Sequence, residues 1–375
     1  MTKDEHLGVF IADDKVGTLA LLNGNLAAFE YDAEWINNGF SLNPFSLPLE
    51  QKVFIPKPDP FEGLFGVFAD SLPDGWGRLL VDRLLLKNKL NPRQAGNLAR
   101  LAIVGNSGMG VLRYAPEIEL GEQTIASDLD EIAVECKSLL KAEYSERLDE
   151  LFFLGGSSGG ARPKILTTVG DEEWIIKFPA SDDGKNIGKL EYDYSLCAKE
   201  CGILMEETRL FKSSRCDGYF GTKRFDRNEN KARVHMVSLS GILETSHRIP
   251  NLDYDTLMKL TMVLTKDFGE IEKLFRLMCF NVFAHNRDDH SKNFSFLYHL
   301  QEKRWKLAPA YDLTFSHSIG GEHATTVHGK GANPGREDLL LVAKTIGLDG
   351  RKAKAILSRV YECVRERLAD YVDVL

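Results

Sequence analysis

The densest group of reactive side chains in this 375-residue sequence is His285-Asn286-Arg287-Asp288-Asp289-His290-Ser291-Lys292-Asn293, where six of nine residues are ionisable. A carboxylate here could accept the proton of a hydroxyl group. A neighbouring oxygen ligand could hold magnesium, which prefers oxygen donors and keeps several of its waters. Asp288 and Asn293 have the D-x-x-x-x-N spacing at which kinase-type catalytic loops carry a base and a metal ligand. Nineteen positions beyond Asn293, after an apolar run and what reads as a hairpin, comes Asp312 in Ala310-Tyr311-Asp312-Leu313. In that position it would bridge magnesium to phosphates and offset the charge that develops during transfer. D-x-x-x-x-N alone occurs by chance in many proteins, and an Asp-Asp-His turn is usually a solvated loop. Joined in order with Asp312, the pair favours chemistry.

A second cluster is Gly155-Gly156-Ser157-Ser158-Gly159-Gly160-Ala161-Arg162-Pro163-Lys164. Its glycines let backbone N–H groups approach phosphates closely, although it matches neither a Walker loop nor G-x-G-x-x-G. Read by itself it is an interdomain linker. Thirteen residues past Lys164, Ile175-Ile176-Lys177-Phe178-Pro179 sets Lys177 in an apolar strand, from which it could reach α- and β-phosphates. A snorkelling edge lysine is the plainer reading. Glu191 or Glu200 on the next helix could pair with it. Lys223-Arg224-Phe225-Asp226-Arg227 ends a strand at a position suited to a hinge, with Phe225 under an adenine and Asp226 near a ribose; a charged strand end is as good a reading. His317, His323 and His328, with His285, His290, Asp288 and Asp312, suggest a metal hydrolase only distantly, because no zinc-type spacing is present.

The elements that must position these groups are legible in outline. Short apolar runs, Leu7–Ile11 and Thr18–Leu22, alternate with turn signals at Asp13–Asp14 and Asn23–Gly24–Asn25 and predict a small antiparallel sheet. Trp76–Leu86 has helical spacing, while Leu101–Val104, Gly105–Gly110 and Val111–Tyr114 read as strand, glycine turn and strand. Strands are expected at Lys164–Val169, Glu173–Phe178, Thr208–Phe211 and Tyr219–Phe225, around a helix at Asn186–Cys201. Ile271, Leu274, Phe275, Met278 and Val282 share one face of a core-facing helix, and helices at Arg336–Ile346 and Gly350–Tyr371 close the chain. The expected plan is α+β and bilobal, protein-kinase-like, with a β-rich N-terminal subdomain and a helical C-terminal lobe. Its divisions are residues 1–125, a helical connection at 126–151, a small lobe at 152–250 and a helical catalytic lobe at 251–375.

Composition narrows the alternatives. The net charge of −8 and a pI near 5.7 disfavour a protein that neutralises many DNA phosphates by itself. No apolar run is long enough to cross a bilayer, and Met1–His6 lacks the apolar core of a secretion signal, so a cytoplasmic address is expected. Six cysteines form no C-x-x-C pair. Cys197 and Cys201 fall one helical turn apart, but all six read as reduced thiols without a structural metal.

Taken in order, Ser157–Lys164, Ile175–Pro179, Arg224–Arg227, Asp288–Ser295 and Tyr311-Asp312 resemble the HipA-type serine/threonine kinases of bacterial toxin–antitoxin systems, and Phe65–Gly75 resembles that family's N-terminal subdomain. The resemblance spans nearly the whole chain. It implies an ATP- and Mg2+-dependent kinase acting on a protein hydroxyl. Asp288 would be the base, His290 and Lys292 further catalytic groups with Lys292 near the γ-phosphate, and Asn293 and Asp312 the metal ligands. Lys177 would hold phosphate under Ser158, Gly159, Gly160, Ala161 and Lys164, with Lys223, Phe225 and Asp226 near the nucleoside. Ser157, or adjacent Ser158, would be the regulatory autophosphorylated serine, where added charge would expel the loop. Two departures stand out: Arg162-Pro163 replaces a frequent Gln and acidic residue, and Asp289 replaces a frequent glycine, which would add negative charge near the metal. The implied partners are a small helix-turn-helix antitoxin, DNA only through it, and a protein substrate such as an aminoacyl-tRNA synthetase or another translation factor. A small-molecule kinase on the same scaffold and a catalytically dead corepressor are the rival readings.

Overall fold

A computed structural model describes residues 6–22, 25–120, 128–143, 145 and 147–372; Asn23 and Gly24 of the expected second turn, and parts of the 126–151 connection, lie outside these residues. The chain divides into two compact units, one of Met1–Lys185 with Phe211–Ser246, the other of Asn186–Leu210 with His247–Leu375.

The first unit opens with β1 (His6–Ile11), β2 (Asp14–Leu21), β3 (Ala27–Tyr31), β4 (Val53–Phe54) and β5 (Leu112–Ala115), ordered β4-β3-β2-β1-β5 and antiparallel throughout. Alternation puts Leu7, Val9 and Ile11 inside on β1, as the sequence pattern requires. Leu101–Val104 is not a strand. It ends a helix, Asn97–Val104, in which Leu98, Leu101 and Ala102 recur at i, i+3 and i+4; a four-residue apolar run alone cannot distinguish the two states. A second core forms around α1 (Gly75–Lys87), α2 (Leu129–Leu140), α3 (Leu148–Gly155), β6 (Lys164–Val169), β7 (Glu172–Lys177) and β8 (Tyr219–Lys223). Trp76 lies at its centre, 1% exposed, and its indole N–H donates to the Lys164 carbonyl at 3.1 Å. Burying such a side chain contributes roughly 1.5–3 kcal/mol, and the hydrogen bond fixes its orientation.

The second unit is mostly helical, with α4 (Ile187–Glu200), α5 (Tyr254–Thr265), α6 (Phe268–Phe283), α7 (Arg336–Ile346) and α8 (Gly350–Arg367). Asp267 caps α6 by accepting from the Gly269 N–H at 2.7 Å. Ile271, Leu274, Phe275 and Met278 on that helix are completely buried, as their shared face predicts, and Val282 nearly so. The hairpin of β9 (Ser295–His299) and β10 (Arg304–Leu307) pairs Phe296 with Leu307 and His299 with Arg304, and β11 (Glu322–Val327) follows. Among the described residues, no helix is long and apolar enough to cross a membrane.

Candidate active site

The His285–Asn293 segment is the connection between α6 and β9. His285 has a left-handed backbone, φ 51°, which ends α6, and the Ala284 carbonyl just before it accepts from the Tyr194 hydroxyl at 2.7 Å. A buried polar relay then sets the loop's path. Asn286 donates to Asn281 at 2.9 Å, Asn281 to the Tyr254 oxygen at 3.0 Å, and Tyr254 to Asp289 Oδ2 at 2.8 Å. His323 Nδ1 lies 3.0 Å from the same carboxylate oxygen, and the Thr325 N–H reaches Oδ1 at 3.2 Å. Asp289 is 1% exposed. The sequence reading set this charge beside the expected ligands; the carboxylate turns into this interior network. Burial first, and then the Asp289 charge, push the Tyr254 phenol well above its usual range, so it remains a donor.

With Asp289 drawn inward, its neighbour Asp288 turns outward, its side chain 63% exposed. His290 Nδ1 accepts from the Lys292 N–H at 3.2 Å, so the neutral ring carries its proton on Nε2, which lies 3.9 Å from Asp288 Oδ1. The Asn293 amide nitrogen donates to the Asp288 carbonyl at 2.7 Å, so the amide oxygen is the atom that could serve a cation. The β9–β10 hairpin returns the chain to the same end, where Ala308 N–H donates to the Ser295 carbonyl at 2.8 Å. The Tyr311 hydroxyl donates to the Lys292 carbonyl at 2.7 Å and lies 2.6 Å from Ser295 Oγ. Asp312, next in sequence, adopts φ 55°, a conformation that aspartate tolerates better than most residues and that recurs at functional sites. Asp288, His290, Lys292, Asn293 and Asp312 are thereby gathered around one end of one hairpin. An amide oxygen and a carboxylate are a donor set that suits magnesium, which takes few protein ligands.

The first unit gathers the other predicted residues. Lys164 and Lys177 are direct partners across β6 and β7. Like charges opposed in this way repel each other, an arrangement that an anion would relieve. Lys164 Nζ donates to the Gly159 carbonyl at 2.5 Å, beneath the glycine-serine loop. That loop is held by the Trp76 N–H on the Gly160 carbonyl, 2.9 Å, and by the Gly160 N–H on Asp74. Gly75 has φ 45°, and a Cβ there would collide with the backbone of Gly160 and Ala161. Arg162 makes a two-pronged contact with Asp183, 3.0 and 3.2 Å, which gives the first sequence departure a local role. Ser158 is buried and donates to the Gly155 carbonyl, whereas half-buried Ser157 donates to the Ser107 carbonyl at 2.8 Å.

At the expected hinge the structure departs from the sequence reading. Asp226 is fully buried, with Arg224 at 2.9 and 2.8 Å, Arg227 at 3.0 Å and the Gly110 N–H at 2.7 Å on its carboxylate. Burial alone would raise its pKa, but Arg224, Arg227 and the Gly110 amide together hold it below the ordinary value. Its oxygens are engaged inside the protein and cannot also hold a ribose. Lys223 pairs with Glu172 at 2.8 Å, and Phe225 is half-buried. Glu200 is taken by Arg367 at 2.7 Å, while Glu191 is buried in the first turns of α4. The histidine-rich metal reading finds no support among the described residues: His323 faces Asp289, His328 faces Asp255 at 2.7 Å, and His317 packs edge-on against Phe315. Among the described residues, the one group of three or more His, Cys, Asp or Glu side chains whose ligand atoms converge is Cys197, Cys201 and Cys363. Sequence reasoning missed Tyr254, Asn281 and Thr325, and named His323 only as a distant metal-ligand candidate; the available signal was a polar residue, Asn281, on a largely apolar helical face.

Residues 156–368 match the profile of the HipA-like C-terminal domain, and residues 7–115 that of the HipA N-terminal domain. A Haemophilus influenzae protein described as "Putative kinase" is 24% identical over 181 residues, 42% of this chain and 52% of that protein, so the chain spans about half the length of this curated relative. Among solved structures, a chain of the Shewanella oneidensis MR-1 toxin–antitoxin complex of HipA, HipB and operator DNA superposes with a TM-score of 0.72 at 18% identity, over 97% of this chain and 90% of that one. The fold is therefore the α+β fold of HipA. With its C-terminal profile covering more than half of the sequence, the chain belongs to the HipA-like family.

Proposed function

We propose that the protein is an ATP- and Mg2+-dependent serine/threonine-protein kinase that also phosphorylates Ser157 in its own glycine-serine loop. The observation that carries this reading is the placing of Asp288, Asn293 and Asp312 at one end of the β9–β10 hairpin, where Asn293 bonds the Asp288 carbonyl and Tyr311, next to Asp312, bonds Lys292 and Ser295. Asp288 receives the proton of the attacking hydroxyl. His290 Nε2, 3.9 Å from Oδ1, lies near enough to close on the carboxylate when substrate binds, and Lys292 offsets charge on the transferring group. When bound by Asn293 and Asp312, magnesium supplies charge neutralisation on the phosphates. In the other unit, Lys164 and Lys177 hold phosphate beneath the loop, and Phe225 with Lys223 serves the nucleoside. Ser157 is favoured over Ser158 as the modified serine because Ser158 is buried. We further infer a cytoplasmic protein that pairs with a small helix-turn-helix partner, as HipA and HipB share a complex with operator DNA, and reaches DNA through it. The chain's net charge of −8 supports this indirect contact. The target is a protein hydroxyl, with translation factors such as aminoacyl-tRNA synthetases as candidates.

The test is transfer from γ-labelled ATP in bacterial lysate, with and without prior removal of small molecules, comparing the wild type with Asp288→Ala. Label on protein in both lysates, absent with the variant, is expected. Label confined to small molecules would establish the small-molecule kinase. Nucleotide binding without any transfer by dephosphorylated protein would establish the corepressor.

A further inference from the structure

Three of the six cysteines, two of them neighbours on one helix and the third far along the chain, converge in the second unit. Cys197 and Cys201 stand one turn apart on the same face at the end of α4, and Cys363 comes from α8. Their sulfurs all lie within 4.8 Å of one another, and Cys197 Sγ is 3.9 Å from Cys363 Sγ. Zinc–thiolate bonds of about 2.3 Å meeting at tetrahedral angles set sulfurs roughly 3.8 Å apart, so a small contraction of this triangle would seat an ion. We propose that Cys197, Cys201 and Cys363 form a three-thiolate site for a thiophilic d10 cation, zinc(II) or copper(I).

The surroundings suit such an ion. Cys197 and Cys201 are at most 1% exposed, and Cys363 is half-buried, which gives the triangle one solvent-facing corner for entry. Soft sulfur ligands select zinc or copper(I) over magnesium, so this site would not compete for the ion at Asn293 and Asp312. Three thiolates around zinc carry a net single negative charge. Arg367 lies one turn beyond Cys363 on α8, where its guanidinium, already paired with Glu200 at 2.7 Å, can offset part of that charge. Glu200 is engaged by that pair, so a water or a small thiol would complete a fourth position. Binding replaces three thiol protons by the cation and changes no oxidation state. Because α4 and α8 supply all three ligands, the ion would fasten these helices together.

The test uses the reduced, chelator-treated full chain. Zinc should bind as a single ion per chain, and cobalt(II) in its place should give a thiolate charge-transfer band. Cys197→Ser, Cys201→Ser and Cys363→Ser should each weaken zinc binding about ten-fold or more and remove the band, while Cys216→Ser leaves both unchanged. Should a variant misfold, alkylation of the wild type decides independently, since zinc should protect Cys363 and a chelator should restore its reactivity. Copper(I) binding in preference to zinc, with the same dependence on the three thiols, would identify the ion without altering the site. Zinc and copper(I) binding that is absent, or unaffected by all three substitutions, would overturn the proposal. So would a Cys197–Cys363 disulfide in the purified protein combined with indifference of the reduced chain to metal.

Discussion

The two loops that carry the proposed chemistry are held in opposite ways. The catalytic loop is fixed by side chains: Asp289 is clamped by Tyr254, His323 and Thr325, and Asn286 is bonded to Asn281, all in the interior. The glycine-serine loop is held largely by its backbone, through the Gly160 amide on Asp74, the Gly160 carbonyl on Trp76 N–H and the Gly159 carbonyl on Lys164, with Gly159, Gly160 and Ala161 exposed. A base must stay in one place, and buried charge-assisted hydrogen bonds provide that. A loop that admits nucleotide and is modified at Ser157 must let go, and a few partly exposed bonds permit it.

The sharpest way to break the comparison is at Asp288. Asp288→Ala should reduce transfer by about 10^2–10^4-fold. Because the side chain is 63% exposed, unfolding free energy should change by no more than ~0.5 kcal/mol. Single-turnover kinetics beside urea unfolding check both halves; a large stability loss would mean that Asp288 is structural.

Acid offers a separate probe of the first unit. Burial holds His235 down at about 4, with its Nε2 2.9 Å from the Leu42 carbonyl. The folded protein therefore keeps the ring neutral, whereas the unfolded chain takes up the proton from about 6.5 downward. Stability should fall as pH drops from about 6.5 to about 4, by roughly 3 kcal/mol in all, and this contribution should level off below that. His235→Gln should remove that part of the slope, measured as the difference from wild type across the window.

Tyr254→Phe keeps the ring and deletes one donor to the buried Asp289 carboxylate. We expect a loss of ~1–3 kcal/mol in stability and a slower transfer step, with ATP affinity unchanged. An affinity change without a rate change would mean that the relay serves the nucleotide instead of the base. The smallest effect is expected at Asp74→Ala, which releases the Gly160 amide. Stability should fall by only ~0.5–1.5 kcal/mol, while protease cleavage within residues 156–163 should accelerate.

The comparison also explains what could be read in advance. The His285–Asn293 loop and the hairpin before Asp312 are local in sequence, so spacing and apolar runs located these elements, and the strands that carry Lys164 and Lys177 were likewise legible as short apolar runs. Side-chain direction is another matter. Asp288 and Asp289 are adjacent and chemically identical, yet one faces solvent and the other the core, a choice made by Tyr254, His323 and Thr325, more than thirty positions away. The sequence reading put Asp226 beside a ribose for a similar reason: Arg224 and Arg227 are its neighbours, but the distant Gly110 amide that completes its enclosure is not visible locally. Cys197 and Cys201 were visible as one helical turn, but Cys363 completes the triangle only after α8 packs against α4.

The most direct test of the central claim is the intact mass of phosphatase-treated protein after incubation with ATP and magnesium, beside Asp288→Ala. A phosphate mapped to Ser157 in the wild type, and none in a variant that still binds nucleotide, is the predicted result. Equal phosphate in both, or none in a wild type shown to bind ATP and magnesium, would contradict the assignment of Asp288 as the base of a kinase.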